Sequence, residues 1–375
     1  MISPEDFFEI LKANGITFFT GVPDSLLKDF CSYITDNSHK QDHIINSNEG
    51  ASIALASGYY ISTGKPALVY MQNSGLGNAV NPLLSLADKE VYSIPMLLMI
   101  GWRGEPGKKD EPQHIKQGRV ILKMLDAMEI QYDVIDASTV NVKEKIEKAC
   151  SNILEKNCPY ALIISAGTFE EYSLKNEAVT DYPLNREDAI KIILDNLSHE
   201  DIVVSTTGKT SREVFEYREK KNQGHQNDFL TVGSMGHCSM IALGIALKNV
   251  KKKVYVLDGD GAAIMQMGSL AITGTHAPEN FKHIIINNGA HDSVGGQPTV
   301  GFQIDFSSIA NACGYKLSLK SETAAQIKEE LTKLIESKGP SLLEIRVNKG
   351  SRKDLGRPAT APVENKKILM EFLSK

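Results

Sequence analysis

The chain has 375 residues, 42% apolar and 23% charged, with 29 glycines and 14 prolines, which excludes collagenous, low-complexity and largely disordered classes and predicts about two globular domains. Its 41 basic and 46 acidic residues leave a net charge of −5, without the basic excess that a general nucleic-acid binder sets against a phosphate backbone. Five scattered cysteines, Cys31, Cys150, Cys158, Cys238 and Cys313, exclude a disulfide framework and a close-spaced zinc site, and read as buried, reduced thiols.

The start, Met1-Ile2-Ser3-Pro4-Glu5-Asp6, is acidic, and no apolar run approaches the ~20 residues that span a bilayer, so no membrane association and a cytoplasmic location are expected. Ser3-Pro4 opens a capped helix that Gly15 closes, and 16–20 reads as a short buried strand. A helix over about 24–35, a strand at 43–46 and a small-residue helix over 49–63 follow. Strands at 67–71 and 96–100, a helix over 142–155 and a strand at 160–165 complete this half. Residues 166–184 are polar, acidic and aperiodic, and predict a linker between domains at 1–165 and 185–375. Beyond it come a helix over 186–197 and strands at 201–205, 229–232, 253–257, 283–287 and 342–347, with helices between them. The tail after Asn348 carries Arg352, Lys353 and Arg357 and then a short final helix, and reads as a wrap over the body. Short apolar strands alternating with helices predict an α/β chain of two doubly wound parallel-sheet domains.

The strongest local signal is Val254-Tyr255-Val256-Leu257-Asp258-Gly259-Asp260-Gly261-Ala262, a buried strand running through two glycines into a helix. Backbone donors at Gly259, Gly261 and Ala262 suit a diphosphate. A dinucleotide site fails here, because Ile264 replaces the third glycine of G-x-G-x-x-G and Asp260 stands where phosphates would lie. Two like charges at ~4 Å repel by about 4 kcal/mol at an effective dielectric of about 20. A divalent cation between them turns repulsion into ligation. The strand at 283–287 ends in Asn287-Asn288-Gly289-Ala290, and neighbouring parallel strands end at one edge. The Asn288 side-chain oxygen and the Ala290 main-chain oxygen then complete the ion shell begun by Asp260.

These residues resemble the thiamine diphosphate enzymes, whose motif is Gly-Asp-Gly followed, after a helix and a strand, by Asn-Asn. In the first half, Asn48-Glu49-Gly50-Ala51 through Ala56-Ser57-Gly58-Tyr59 and Thr63-Gly64-Lys65-Pro66 resembles the pyrimidine-binding region of the decarboxylase group, and Gly233-Ser234-Met235-Gly236 matches its cofactor-bending loop. The resemblance spans nearly the whole chain. It implies a pyrimidine-binding and a diphosphate-binding domain with no middle domain, thiamine diphosphate with Mg²⁺ (or another divalent cation such as Mn²⁺), and a homodimer or dimer of dimers whose active site lies between subunits. It further implies that Glu49 hydrogen-bonds the cofactor's aminopyrimidine, that Met235 props the bent cofactor, and that the Gly233 carbonyl accepts from the amino group. Ser234, Gly208 and Lys209 then fall among the cofactor contacts. Taken alone, Glu49 also reads as a first-turn acid, Met235 as core filler and Lys209 as a surface lysine.

The loop 102–114 lacks the adjacent histidines of the pyruvate-cleaving members. Together with Gly21-Val22-Pro23-Asp24-Ser25 it looks like the branch acting on 2-oxo acids with a phosphonate or sulfonate at C3. The resemblance implies catalytic roles for Asp24 and His114 and substrate contacts at Ser25, Arg103 and Lys116. Asp24 reads equally as a helix cap, Arg103 and Lys116 as loop charges, and His114 as a structural hydrogen-bonding group. An NAD-linked dehydrogenase is the alternative of another class.

Overall fold

The structure is a computed structural model that describes residues 1–176 and 179–375, in two compact units, Met1–Glu177 and Ala178–Lys375. The first unit holds β1 (Phe19–Gly21), β2 (His43–Ile45), β3 (Leu68–Gln72), β4 (Leu97–Gly101), β5 (Gln131–Ile135) and β6 (Tyr160–Ile164), all parallel in the order β2-β1-β3-β4-β6-β5. The second holds β7 (Ile202–Ser205), β8 (Asp228–Leu230), β9 (Val254–Gly259), β10 (Phe281–Asn287), β11 (Leu317–Ser321) and β12 (Ser341–Arg346), parallel in the order β11-β12-β10-β9-β7-β8. Two sheets of this kind bear out the predicted doubly wound class.

Central strands are buried on both faces. In β4 every residue of Leu-Leu-Met-Ile-Gly is buried. Leu97 and Met99 pack with Phe7 and Phe30 on one face, Leu98 and Ile100 with Ile53 and Ile121 on the other. Burying one such side chain contributes ~1.5–3 kcal/mol, so the apolar run commits this segment to the sheet centre.

The helix Glu49–Thr63 lies where the sequence placed it, with Asn48 Oδ1 accepting from Ala51 N at 2.9 Å and Gly64 closing it at φ 70°. Two of the four edge strands, β5 and β11, are absent from the sequence reading. Their residues are mostly half-buried, so neither presents a continuous apolar run. The 102–114 stretch is corrected in its last part: a helix spans Pro112–Ala127 and carries His114 and Lys116. The helix expected from 24 begins at Lys28, because Asp24 instead closes a turn by accepting from Leu26 N at 3.1 Å.

Residues 166–176 pack on the first unit, with Phe169 against Phe7 and Phe30 and with Asp36 accepting from the main-chain amides of Lys175 and Asn176. Residues 180–184 engage Asn348 in the second unit. In the tail, Arg352 pairs with Glu187, Glu216 and Asp354, and the helix Pro362–Leu373 docks Asn365 on β8. No disulfide is present among the described residues, and none of their helices is long and apolar enough to cross a membrane.

Candidate active site

In the first unit Asp24, Ser25, Arg103 and Glu49 lie by the C-terminal ends of β1, β3 and β4, the edge where parallel sheets bind ligands, while His114 and Lys116 are on the helix Pro112–Ala127. Glu49 is only 5% exposed, and its Oε2 accepts from Asn78 Nδ2 at 2.8 Å. Burial holds its carboxyl above the ordinary value, opposed by the Asn78 amide. Asn78 lies on the helix Leu76–Pro82, which the sequence reading missed because Gly75 and Pro82 break up its pattern. A Cβ on Gly75 would fall 2.1 Å from Glu49 Oε1. Gly75→Ala is therefore expected to lower stability by about 1–3 kcal/mol, measured by denaturant unfolding, as the added methyl displaces that carboxylate.

Asp24 is fully buried between the Gln72 side chain and Leu26 N, with its pKa raised by desolvation. Gly101, the last residue of β4, passes directly beneath it: a Cβ there would lie 2.1 Å from Asp24 Oδ2. Arg103 donates through NH1 to Ser25 Oγ at 2.8 Å, and through Nε at 2.8 Å and NH2 to Asp110. The Asp110 hydrogen bond raises the Arg103 pKa. Asp110 is itself held low: burial pushes it up, but Arg103 and the Gly104 amide outweigh that. Arg103 and Ser25 are thus brought together, with part of the guanidinium committed to an acid that sequence reasoning did not single out. Burial pushes His114 down to about 4, so its ring is neutral near pH 7 and offers hydrogen bonds rather than positive charge. Lys116 is exposed on the same helix.

In the second unit β9 and β10 run in register, Gly259 beside Ile286, so that Asp260 and Asn288 leave neighbouring strand ends. Asp260 is 2% exposed and begins the short helix Asp260–Met265, whose first turn also holds Gly261 and Ala262. The chain then returns: Thr299 Oγ1 donates to Asp260 Oδ2, and a Cβ on Gly301 would sit 2.7 Å from that oxygen. Desolvation raises the Asp260 pKa to about 6, with only the Thr299 hydroxyl and main-chain amides opposing it. A buried carboxylate with such partners is one that a cation would satisfy. Asn288 is 6% exposed, with Oδ1 accepting from Ala290 N at 3.2 Å, and Ala290 bridges to Pro298. No group of three or more His, Cys, Asp or Glu side chains able to hold a metal occurs among the described residues. The carboxylate, amide and carbonyl oxygens of Asp260, Asn288 and Ala290 are hard donors, a set that fits Mg²⁺.

Gly208, at φ 94°, precedes the helix Lys209–Lys221; the Lys209 amide reaches Ser293 Oγ at 3.4 Å and its Nζ lies 3.4 Å from Asp292. Asp292 is anchored by the buried Arg186, which also binds Glu213 in bidentate fashion. In the loop after β8, Ser234 takes φ 55° and Gly236 φ 85°. A Cβ on Gly236 would meet Gln266 Cγ at 2.7 Å and Ala262 O at 3.0 Å, so this loop, with half-buried Gly233 and Met235, packs onto the Asp260 helix. Thr299, Gly301, Asp292 and Asn78 carry no motif that would have revealed them. Pro112, at the first position of its helix, was a usable start signal for the segment bearing His114.

Two such sheets, one presenting a buried glutamate at a helix start and the other an Asp-Gly turn beside an Asn-Asn turn, make up the fold of the thiamine diphosphate enzymes. Residues 4–130 match the thiamine pyrophosphate enzyme N-terminal TPP binding domain, and residues 206–345 match its C-terminal TPP binding domain. The chain is 32% identical over 389 residues to a phosphonopyruvate decarboxylase of Streptomyces viridochromogenes, covering 100% of this chain and 96% of the relative. It is equally 32% identical over 390 residues to a phosphonopyruvate decarboxylase of Streptomyces hygroscopicus, covering 100% and 95%. Identity to a sulfopyruvate decarboxylase of Methanosarcina acetivorans is 26% over 379 residues, covering 94% and 93%. The chain belongs to the thiamine pyrophosphate-dependent decarboxylases and is a carboxy-lyase that uses thiamine diphosphate.

Proposed function

We propose that this enzyme converts 3-phosphonopyruvate to phosphonoacetaldehyde and CO₂ with thiamine diphosphate and Mg²⁺, in the cytoplasm, as a step in phosphonate biosynthesis. The observation that carries the substrate is the 32% identity over the full chain to two phosphonopyruvate decarboxylases. Bound thiamine diphosphate supplies a nucleophilic carbon for the 2-oxo group and a sink for the electrons released as CO₂ leaves.

The chain's own residues divide the remaining work. Glu49 holds and moves a proton at a ring nitrogen of the aminopyrimidine, its raised pKa matching it to that exchange. Met235 would prop the bent cofactor, and the Gly233 carbonyl would accept from its amino group. Asp260, Asn288 Oδ1 and the Ala290 carbonyl would hold Mg²⁺ (Mn²⁺ can take its place), while Lys209 and the amides at Gly208, Ser234, Gly261 and Ala262 would receive the diphosphate, and Gly259, whose amide donates to Asp258 Oδ1 at 2.9 Å, would allow its close approach. Arg103 and Ser25, linked at 2.8 Å, and Lys116 would receive the phosphonate, and Asp24 and neutral His114 would serve as proton-handling groups. The working unit is a homodimer or a pair of dimers, the Glu49 unit of one copy serving the Asp260 unit of the other.

The test is CO₂ release from 3-phosphonopyruvate and from sulfopyruvate by the same preparation, with and without Mg²⁺ and thiamine diphosphate. Stripping Mg²⁺ with a chelator is expected to abolish turnover, and re-addition to restore it. A higher kcat/KM for the sulfonate would overturn the substrate choice. Turnover with a nicotinamide cofactor in place of thiamine diphosphate would overturn the cofactor roles of Glu49 and Asp260.

A further inference from the structure

In β12, the strand next to the edge strand β11, Glu344 stands between the apolar Leu343 and Ile345. Glu344 is 0% exposed, and ionisable side chains are almost never fully buried unless paired. Its Oε1 accepts from Asn287 Nδ2 at 2.9 Å and from Arg346 Nε at 3.0 Å, and its Oε2 has no hydrogen-bond partner among the described residues. The Arg346 ion pair compensates Oε1, but the partnerless Oε2 costs stability that packing does not repay.

Asn287 is the residue through which Glu344 reaches the site. It is wholly buried, its Nδ2 also donates to the Gly301 carbonyl at 2.8 Å, and its Oδ1 accepts from Gly289 N at 3.1 Å. One amide therefore clasps both ends of the segment that leaves β10 at Gly289 and returns at Gly301. The returning segment passes close by: a Cβ on Gly301 would lie 2.6 Å from Asn287 Oδ1 and 2.7 Å from Asp260 Oδ2. Between the two ends lie Ala290 and Thr299, whose hydroxyl holds Asp260. Which way the Asn287 amide faces decides whether this clasp closes, and Glu344 Oε1, accepting from the same NH₂ as the Gly301 carbonyl, favours the orientation that turns the amide oxygen toward Gly289. The other partner of Glu344, Arg346, lies 5.8 Å from the Phe302 ring, and Phe302 packs on Gly289, where a Cβ would fall 2.4 Å from the ring. Both contacts of Glu344 Oε1 thus lead to the same segment.

We propose that Glu344 is a positioning residue for the cation site, acting through the Asn287 amide to hold Asn288, Ala290 and Thr299 in place around Asp260. This rests on the reading of Asp260, Asn288 and Ala290 as the Mg²⁺ ligands. The groups that orient metal ligands typically contribute 10- to 100-fold in metal affinity. Glu344→Leu is accordingly expected to raise the Mg²⁺ concentration that half-supports thiamine diphosphate binding by about 10- to 100-fold.

The experiment is isothermal titration of thiamine diphosphate into cofactor-stripped protein at a series of Mg²⁺ concentrations, without substrate. Glu344→Gln keeps an oxygen for Asn287 and is expected to fall between wild type and Glu344→Leu. If Glu344→Leu does not fold, Asn287→Ser, which cuts the clasp and leaves the carboxylate in place, carries the same expected shift. A folded variant with an unchanged Mg²⁺ midpoint, merely less resistant to heat, overturns the proposal. Asp260→Ala is run alongside: if its midpoint is also unchanged, the ligand reading itself has failed, whereas a shift for Asp260→Ala alone sinks only the role of Glu344.

Discussion

Glu49→Gln is expected to lower turnover by about 10²- to 10⁴-fold, the range associated with one positioned acid–base group, while making the protein harder to melt at neutral pH. Both effects have one cause. The carboxyl is desolvated, with the Asn78 amide as its side-chain hydrogen-bond donor among the described residues, and its folded-state pKa lies above the ordinary 4.5. Above 4.5 the unfolded chain releases this proton before the folded one does, so the folded state binds more protons and stability falls as pH rises through the window. The destabilisation is complete above the folded-state pKa and absent below 4.5. Glutamine keeps an oxygen for Asn78 and carries no charge, so the melting-temperature gain is expected at pH 8 and not at pH 4. Calorimetric melts at both values check this. An equal gain at the two, or turnover like the wild type, would remove the buried carboxylate from the account.

How much of this could be read from residues in order depends on whether the signal is carried along the chain or across it. Central strands such as β4 and β6 are buried on both faces and announce themselves as apolar runs. The edge strands β5, Gln-Tyr-Asp-Val-Ile, and β11, Leu-Ser-Leu-Lys-Ser, face water along one side and mix polar with apolar residues, so they pass for loop. Asn48 and Gly64 mark their helix by local cap chemistry and place both its ends. Pro112 offered the same kind of signal, but the glycine- and proline-rich residues before it drew the reading toward a continuous loop.

The site divides in the same way. Asp260 and Asn288 are legible because a parallel sheet brings consecutive strand ends to one edge, which turns a linear motif into a spatial one. Their supports are not legible. Thr299 reaches Asp260 across 39 positions, Asn78 reaches Glu49 across 29 and Glu344 reaches Asn287 across 57, none with a spacing that a helix or strand period would flag. Arg103 shows the limit from the other side. Its charge suggested anion binding, yet only the structure reveals that Asp110 already takes two of its donors.

Asp260→Ala is expected to separate folding from cofactor retention. In the wild type a Mg²⁺–thiamine diphosphate pair that binds only the folded state stabilises it by ~2.7 kcal/mol at about 100 times its Kd, and the melting temperature rises accordingly. Removing a ligand that touches the ion should weaken Mg²⁺-dependent cofactor binding by more than the ~100-fold that losing an orienting group can cause. The rise in melting temperature on adding both should then disappear. The cofactor-free protein should lose little, because Asp260 is 2% exposed and has no basic side chain among the groups opposing its raised pKa. Deleting an uncompensated buried anion relieves its desolvation while leaving a small cavity, and the two terms oppose each other. Melts of wild type and Asp260→Ala, each with and without Mg²⁺ and thiamine diphosphate, decide the matter. A variant that still gains the full ligand-induced shift shows that the cation is held elsewhere, and one that fails to fold without ligands shows that Asp260 supports the sheet edge rather than the ion.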